Sequence, residues 1–250
     1  MQVKKLYTVG DGYAHNHYWP MWSQLLAEVL DCPWTNLSAI GAGKEYIANS
    51  VLDALATAPD LTDSLWIIQW SSPKRLDLQI NNENRDLVEY IKTDPVYYKN
   101  FATTAQDQTY WVSSASELDR VQQHNNFVTE SQHITRSRNL QLSVAYALDH
   151  YGVEWRYMFT YDAPWSRNNI IPDSKYIWES QRTFRTKSQY RDLDIGEIQP
   201  VSSIHLDFLE QYLLPNYKFD PAKLEAVKQH IVQQDQNRLL TQRKVQAQSQ

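Results

Sequence analysis

This chain of 250 residues has one cysteine, six glycines and no surplus of positive charge. The lone Cys32 excludes a disulfide framework and any zinc site built from cysteines, and it suits a reducing compartment. With 24 Lys and Arg against 29 Asp and Glu, the formal charge is −5, which argues against general nucleic-acid binding through a broad phosphate-attracting face. No stretch approaches the ~20 apolar residues of a membrane span, so no membrane partner is expected. The segment Met1-Gln2-Val3-Lys4-Lys5-Leu6-Tyr7 runs straight into a strand-like stretch and lacks the apolar core of a signal peptide, so the expected location is cytoplasmic. A chain this long buries roughly three-quarters of its unfolded surface and can do without disulfides.

Because glycine is scarce, its placement is informative. Four of the six fall at Gly10, Gly12, Gly41 and Gly43, in two short clusters. Aromatic residues are plentiful by contrast, with 9 Trp, 16 Tyr and 6 Phe. They imply either a core of large side chains or a binding surface in which Trp19, Trp155, Trp165 and Trp178 stack on sugar faces.

The first third alternates between strand and helix patterns. Lys4 to Val9 is β-prone and stops at Gly10-Asp11-Gly12. Trp22, Leu25, Leu26, Val29 and Leu30 share one helical face within Met21 to Leu30. Asn36 to Ile40 reads as a second strand closed by Gly41-Ala42-Gly43. Ile47, Val51, Leu52 and Leu55 mark a second amphipathic helix with Pro59 beyond its end. Ser64 to Trp70 is the most strand-like run. This alternation predicts right-handed crossovers and a parallel sheet covered by helices on both faces: a three-layer α/β/α sandwich with flavodoxin-like winding.

Later segments are less periodic. Asn81 to Asn100 is expected to form helices over one end of the sheet. A helix running through Leu140, Val144 and Ala147 reaches His150, Gly152 stops it, and Glu154 to Thr160 is a fourth strand. Asp162 to Gly196 reads as a long loop or insertion. Ser202 to Leu214 is a helix ended by Pro215. After Asp220-Pro221 a Gln-rich segment carries one apolar stripe, Leu224, Val227 and Ile231, which fails at Gln234 and Arg238. The expected division is residues 1–219 as the α/β domain and 220–250 as a helical docking arm or tail.

Open α/β sheets place ligands outside the carboxyl ends of their strands. Three such ends occur, at Gly10-Asp11-Gly12, at Gly41-Ala42-Gly43-Lys44 and at Trp70-Ser71-Ser72. Together they nominate a crevice lined by Asp11, Gly12, His15, His17, Gly41, Gly43, Lys44, Trp70, Ser71 and Ser72. Neither G-x-G-x-x-G nor G-x-x-x-x-G-K-[ST] is present, so a phosphate loop is not indicated. A metal reading of His15, His17 and Asp11 competes with a solvated loop or a substrate-lining role, and no metal or cofactor is expected. Lys44 at the crevice lip could pair with an anionic ligand or with Glu197.

The order and spacing of these stretches resemble the SGNH, or GDSL-type, hydrolase family of esterases and lipases, in a branch often met in phage genomes. The resemblance rests on Lys5 to Gly12, Tyr18-Trp19-Pro20, Asn36 to Gly43, Ile67 to Arg75, Gln199-Pro200 and His205 to Leu209. It covers the first eighty residues well and leaves the middle uncovered. The family cleaves acyl esters with a serine whose hydroxyl is activated by a histidine, the histidine lying in an Asp-x-His-Pro block. Carried over, the serine position is Gly12, the histidine is Gln199 and the aspartate is Glu197. Gly41 stands at an oxyanion position, Gly43-Lys44 replaces a small-residue/asparagine pair, and Ser71 or Ser72 lies near the asparagine block. His205 matches a position on the last helix that is not the base.

A glycine has no nucleophile to offer, and an amide cannot act as a general base near neutral pH. The resemblance therefore implies a catalytically silent member of the fold, used to bind a protein partner or a glycan, and a virion or tail-associated component in this branch. The alternative is an esterase that deacylates a carbohydrate with other catalytic residues. A pure assembly protein with an empty crevice is a third reading.

Overall fold

A computed structural model describes residues 2–12, 14, 20–39, 41–72, 75, 77–80, 98–99, 110–113, 128–160, 170–177 and 202–233. The apolar run Ser64–Trp70 forms strand β3, buried along its whole length. Such continuous burial requires neighbours on both edges and cover on both faces. β1 (Lys5–Val9) supplies one edge and β7 (Glu154–Phe159) the other, both parallel to β3. β2 (Trp34–Asn36) lies outside β1, giving a four-stranded parallel sheet in the order β2-β1-β3-β7. The chain steps outward from β1 to β2, then crosses back to β3, so the winding reverses between β1 and β3. Beyond β7, Tyr176 makes a parallel bridge to Tyr157, and the Ile177 amide donates to the Tyr157 carbonyl at 2.8 Å.

Side-chain alternation along these strands builds two cores. Tyr7 and Val9, Trp66, Ile68 and Trp70, and Trp155, Tyr157 and Phe159 point to the face covered by α2 (Lys44–Thr57) and α3 (Glu130–His150). Tyr7 and Trp66, register partners, stack with centroids 4.1 Å apart. Leu6, Leu65, Ile67 and Met158 face the other way, toward α1 (Trp22–Leu30) and α4 (Ser202–Phe208). The result is the three-layer α/β/α sandwich with flavodoxin-like strand order. Among the described residues most aromatics go into these cores, and Trp155 is buried there rather than offered to a sugar.

Local chemistry sets the ends of the elements. α3 begins ten residues before the apolar periodicity does, at a capping box in which the Thr129 hydroxyl accepts from the Gln132 amide and the Gln132 side chain accepts from the Thr129 amide. It stops at Gly152, whose φ of +66° suits glycine. There the Val153 amide reaches the Leu148 carbonyl and the Gly152 amide the Asp149 carbonyl, a Schellman ending. After α4 the helix widens into a π turn, Leu209–Leu213, and tightens into a 3₁₀ turn holding Pro215.

Several sequence expectations are corrected. β2 occupies Trp34–Asn36, not Asn36 to Ile40. The Asn36 side chain accepts from the Ser38 amide at 3.0 Å, an Asx turn that draws the chain out of the ladder. Leu37 and Ala39 still donate to the Thr8 and Gly10 carbonyls. Tyr98–Lys99, inside the segment expected to be helical, is instead strand β5 of an antiparallel sheet with β4 (Asp77–Ile80) and β6 (Tyr110–Ser113), ordered β4-β6-β5. The remainder of Asn81 to Asn100 lies outside the described residues, as does most of Asp162 to Gly196. Residues 221–233 form a further helix, α5. Its stripe is no free arm: Val227 and Ile231 are buried in the core that α1 and α4 share, with Leu224 packed against it. Among the described residues, no helix is long and apolar enough to cross a membrane.

Candidate functional site

The winding reversal places the ends of β1 and β3 side by side, and the residue at its centre is Asp11. It is 2% exposed. Its Oδ1 accepts from Gln69 Nε2 at 3.0 Å, and its Oδ2 accepts from the Thr160 hydroxyl at 2.9 Å. Arg75 approaches Oδ2 at 3.6 Å. Gln69 also donates to Thr160 Oγ1 at 2.8 Å and accepts from Trp22 Nε1 at 2.9 Å. Asp11, Gln69 and Thr160 therefore tie the ends of β1, β3 and β7 together, with α1 attached through Trp22. A buried carboxylate needs such partners, because desolvation without them is costly. Gly10 permits the close packing: a Cβ there would lie 2.8 Å from Gln69 Cβ and 2.9 Å from Ala14 Cβ.

Around this knot the nominated residues divide. Gly12 follows Asp11, partly exposed, with no side chain to react. Gly41 holds φ of +76° in the turn where the Ala42 amide reaches the Ala39 carbonyl. Trp70 lies in the core under α2 and α3, so it packs and does not face a ligand. Ser71 is buried, and its hydroxyl has no hydrogen-bond partner among the described residues. Ser72 is half-buried beside it. His15, His17, Glu197 and Gln199 lie outside the described residues. Half-buried Cys32 offers no substitute nucleophile, since burial first and Asp31 second push its thiol up to about 11.

Lys44 does not stand at an exposed lip. It is 0% exposed in the first turn of α2, with Nζ 3.4 Å from His133 Nδ1 and 3.5 Å from the His133 carbonyl oxygen, both on α3. Burial lowers its pKa, Glu45 and Asp77 pull it back up, and Arg136 adds to the lowering. Beside it lies a cluster that sequence reading does not anticipate. The Asp77 carboxylate accepts from the Gly43 amide (Oδ1, 2.9 Å) and from the Tyr46 amide (Oδ2, 2.9 Å). It thus caps α2, whose N-cap Gly43 has no side chain for the purpose. Glu45 Oε2 in turn accepts from the Asp77 amide at 3.0 Å, and Glu45 Oε1 meets Arg136 Nε at 2.8 Å. A Cβ at Gly43 would come within 2.6 Å of both Asp77 oxygens, so glycine is required there for close approach.

Of these partners, Gln69 alone leaves a trace in the sequence, as the one amide in an otherwise apolar strand. Thr160, Asp77, Glu45, Arg136 and His133 are brought in by long-range packing. At the opposite end of the sheet, residues 58–64 and 151–154 line a groove of about 580 Å³ that contains none of the nominated residues. Compared with protein-family models, curated proteins and solved structures, the chain matches none.

Proposed function

We propose that this chain is a catalytically silent, SGNH-hydrolase-like protein that uses the α/β scaffold for binding or assembly, with a protein partner or a glycan as its ligand. The observation that carries this reading is the state of the β1 end. Asp11 spends both carboxylate oxygens on Gln69, Thr160 and Arg75, and the next residue, where the resemblance would put the attacking serine, is a bare glycine. Ester cleavage needs a nucleophile and a base within roughly 2.6–3.2 Å of each other. The one buried serine hydroxyl at the β3 end, that of Ser71, has no hydrogen-bond partner among the described residues. Loss of a whole triad leaves roughly 10³–10⁴-fold over water, from binding and oxyanion groups. A virion or tail-associated role extends the reading along the branch that the sequence resembles.

Incubation of the pure protein with short p-nitrophenyl esters tests it. The expected rate equals that of buffer alone. Saturable turnover that disappears in His17→Ala or Asp11→Asn would establish the esterase alternative instead.

A further inference from the structure

The groove at the amino ends of β3 and β7 lies away from the strand-end crevice, and its chemistry is different. Its volume of about 580 Å³ falls within the roughly 300–1,000 Å³ of small-molecule sites. Such sites are mostly apolar, whereas Asp60, Thr62, Asp63 and Glu154 line this one, and α2 and α3 both end at it. Among these polar groups stands one large ring, Tyr151, 47% exposed. His150 packs edge-on to it, with centroids 5.5 Å apart and an interplanar angle of 83°. Beside the ring the wall opens, since a Cβ added at Gly152 would meet nothing within 4 Å.

Each carboxylate in the groove is already held. Asp60 Oδ1 accepts from the Thr62 amide at 2.8 Å, and Lys4 and Lys5 lie near enough to act on it. Asp63 pairs with Lys4 at 2.6 Å, and Glu154 pairs with Arg156 and, at 3.5 Å, with Lys175. This balance decides the charge of a ligand. An anion would meet three carboxylates and the negative ends of two helices. A cation would have to displace Lys4, Arg156 or Lys175 from a surface pair, exchanging one weak contact for another. A neutral ligand rich in hydroxyl groups meets neither obstacle. Its O–H groups donate to carboxylate oxygens that stay ion-paired, and a charged acceptor makes the stronger hydrogen bond. A protein partner needs about 20–30 residues a side, against the eleven that line this groove.

We propose that this groove is a glycan-binding site for a short neutral saccharide, with the C–H face of one sugar ring packed on Tyr151 and hydroxyl groups donating to Asp60, Asp63 and Glu154. The inference rests on the glycan form of the proposed function, and it places the ligand at the amino ends of the strands instead of the carboxyl ends. A sugar matches the site on both counts: it is uncharged and dense in donors, and its ring presents an apolar face to an aromatic one.

Calorimetric titration of the full chain with maltotriose, cellotriose and triacetylchitotriose, followed by amide chemical-shift mapping, tests the site. At least one of the three is expected to bind and to shift the amides of residues 60–64 and 151–154. Tyr151→Ala should weaken that binding about three- to tenfold, and Tyr151→Phe should restore it. Asp60→Asn should weaken it as well, while Tyr146→Ala, an exposed tyrosine outside the groove, should leave it unchanged. Trilysine and trigalacturonate should bind more weakly than the neutral trisaccharide. Equal affinity in Tyr151→Ala, or tighter binding of either charged oligomer, would overturn the assignment. Shifts confined to Gly10–Gly12 and Gly41–Lys44 would overturn the groove site and leave the glycan reading standing. Binding by none of the three would overturn the groove site and leave a protein partner as the ligand.

Discussion

Replacing Asp11 by alanine tests whether that carboxylate is a structural tie. Its removal takes the acceptor from the Thr160 hydroxyl and one of two acceptors from Gln69 Nε2, both buried. Arg75, with a side chain 22% exposed, can turn to water. A buried donor left without its acceptor costs about 1–3 kcal/mol. Two such losses predict a destabilisation of about 2–6 kcal/mol, a large part of the roughly 5–15 kcal/mol typical of a domain. Asparagine should cost only about 1 kcal/mol, because its oxygen can accept from Gln69 while the Thr160 hydroxyl turns to accept from its amide. Urea unfolding followed by circular dichroism reads both values, with an unchanged slope marking a true stability effect. An alanine variant within about 0.5 kcal/mol of wild type, or an asparagine variant as damaged as alanine, would refute the reasoning.

Two further outcomes follow from close packing. Gly10→Ala should lower stability by about 1–3 kcal/mol, because the new methyl meets Gln69 Cβ and Ala14 Cβ at under 3 Å; an unchanged melting temperature would contradict this. Ile231→Ala should cost about 2–4 kcal/mol and Val232→Ala no more than about 0.5, as the first is buried and the second 56% exposed; equal effects would show that α5 is not part of the core. By the same argument, Lys44→Ala and Trp70→Ala probe folding and are unsuitable probes of ligand binding, since both side chains are buried.

The parallel sheet was legible because each strand announces itself within a few residues. Ser64–Trp70 is apolar throughout Leu65–Ile68 and again at Trp70, and Gly152 stops the helix before β7 at a backbone angle that only glycine adopts freely. What local pattern could not carry was pairing over long separations. Asp77 caps a helix whose first residues lie 34 and 31 positions away, and nothing in Leu76-Asp77-Leu78 distinguishes it from a surface carboxylate. Lys44 reads as exposed because lysine usually is, and its burial depends on α3 arriving from 89 residues downstream. The early start of α3 had a local sign, Thr129 followed three residues later by Gln132, that apolar periodicity alone overlooks. At the candidate site, Asp11 and the glycines stood out, while the partners that commit Asp11 to structure came from β3 and the end of β7.

The central claim is that the strand-end region holds no activated nucleophile. Intact-mass measurement after incubation with a fluorophosphonate, which labels serines activated by a neighbouring base, tests this most directly. The account predicts an unchanged mass at reagent concentrations that fully label an active serine esterase. A stoichiometric adduct that maps to Ser71 or Ser72 would contradict it.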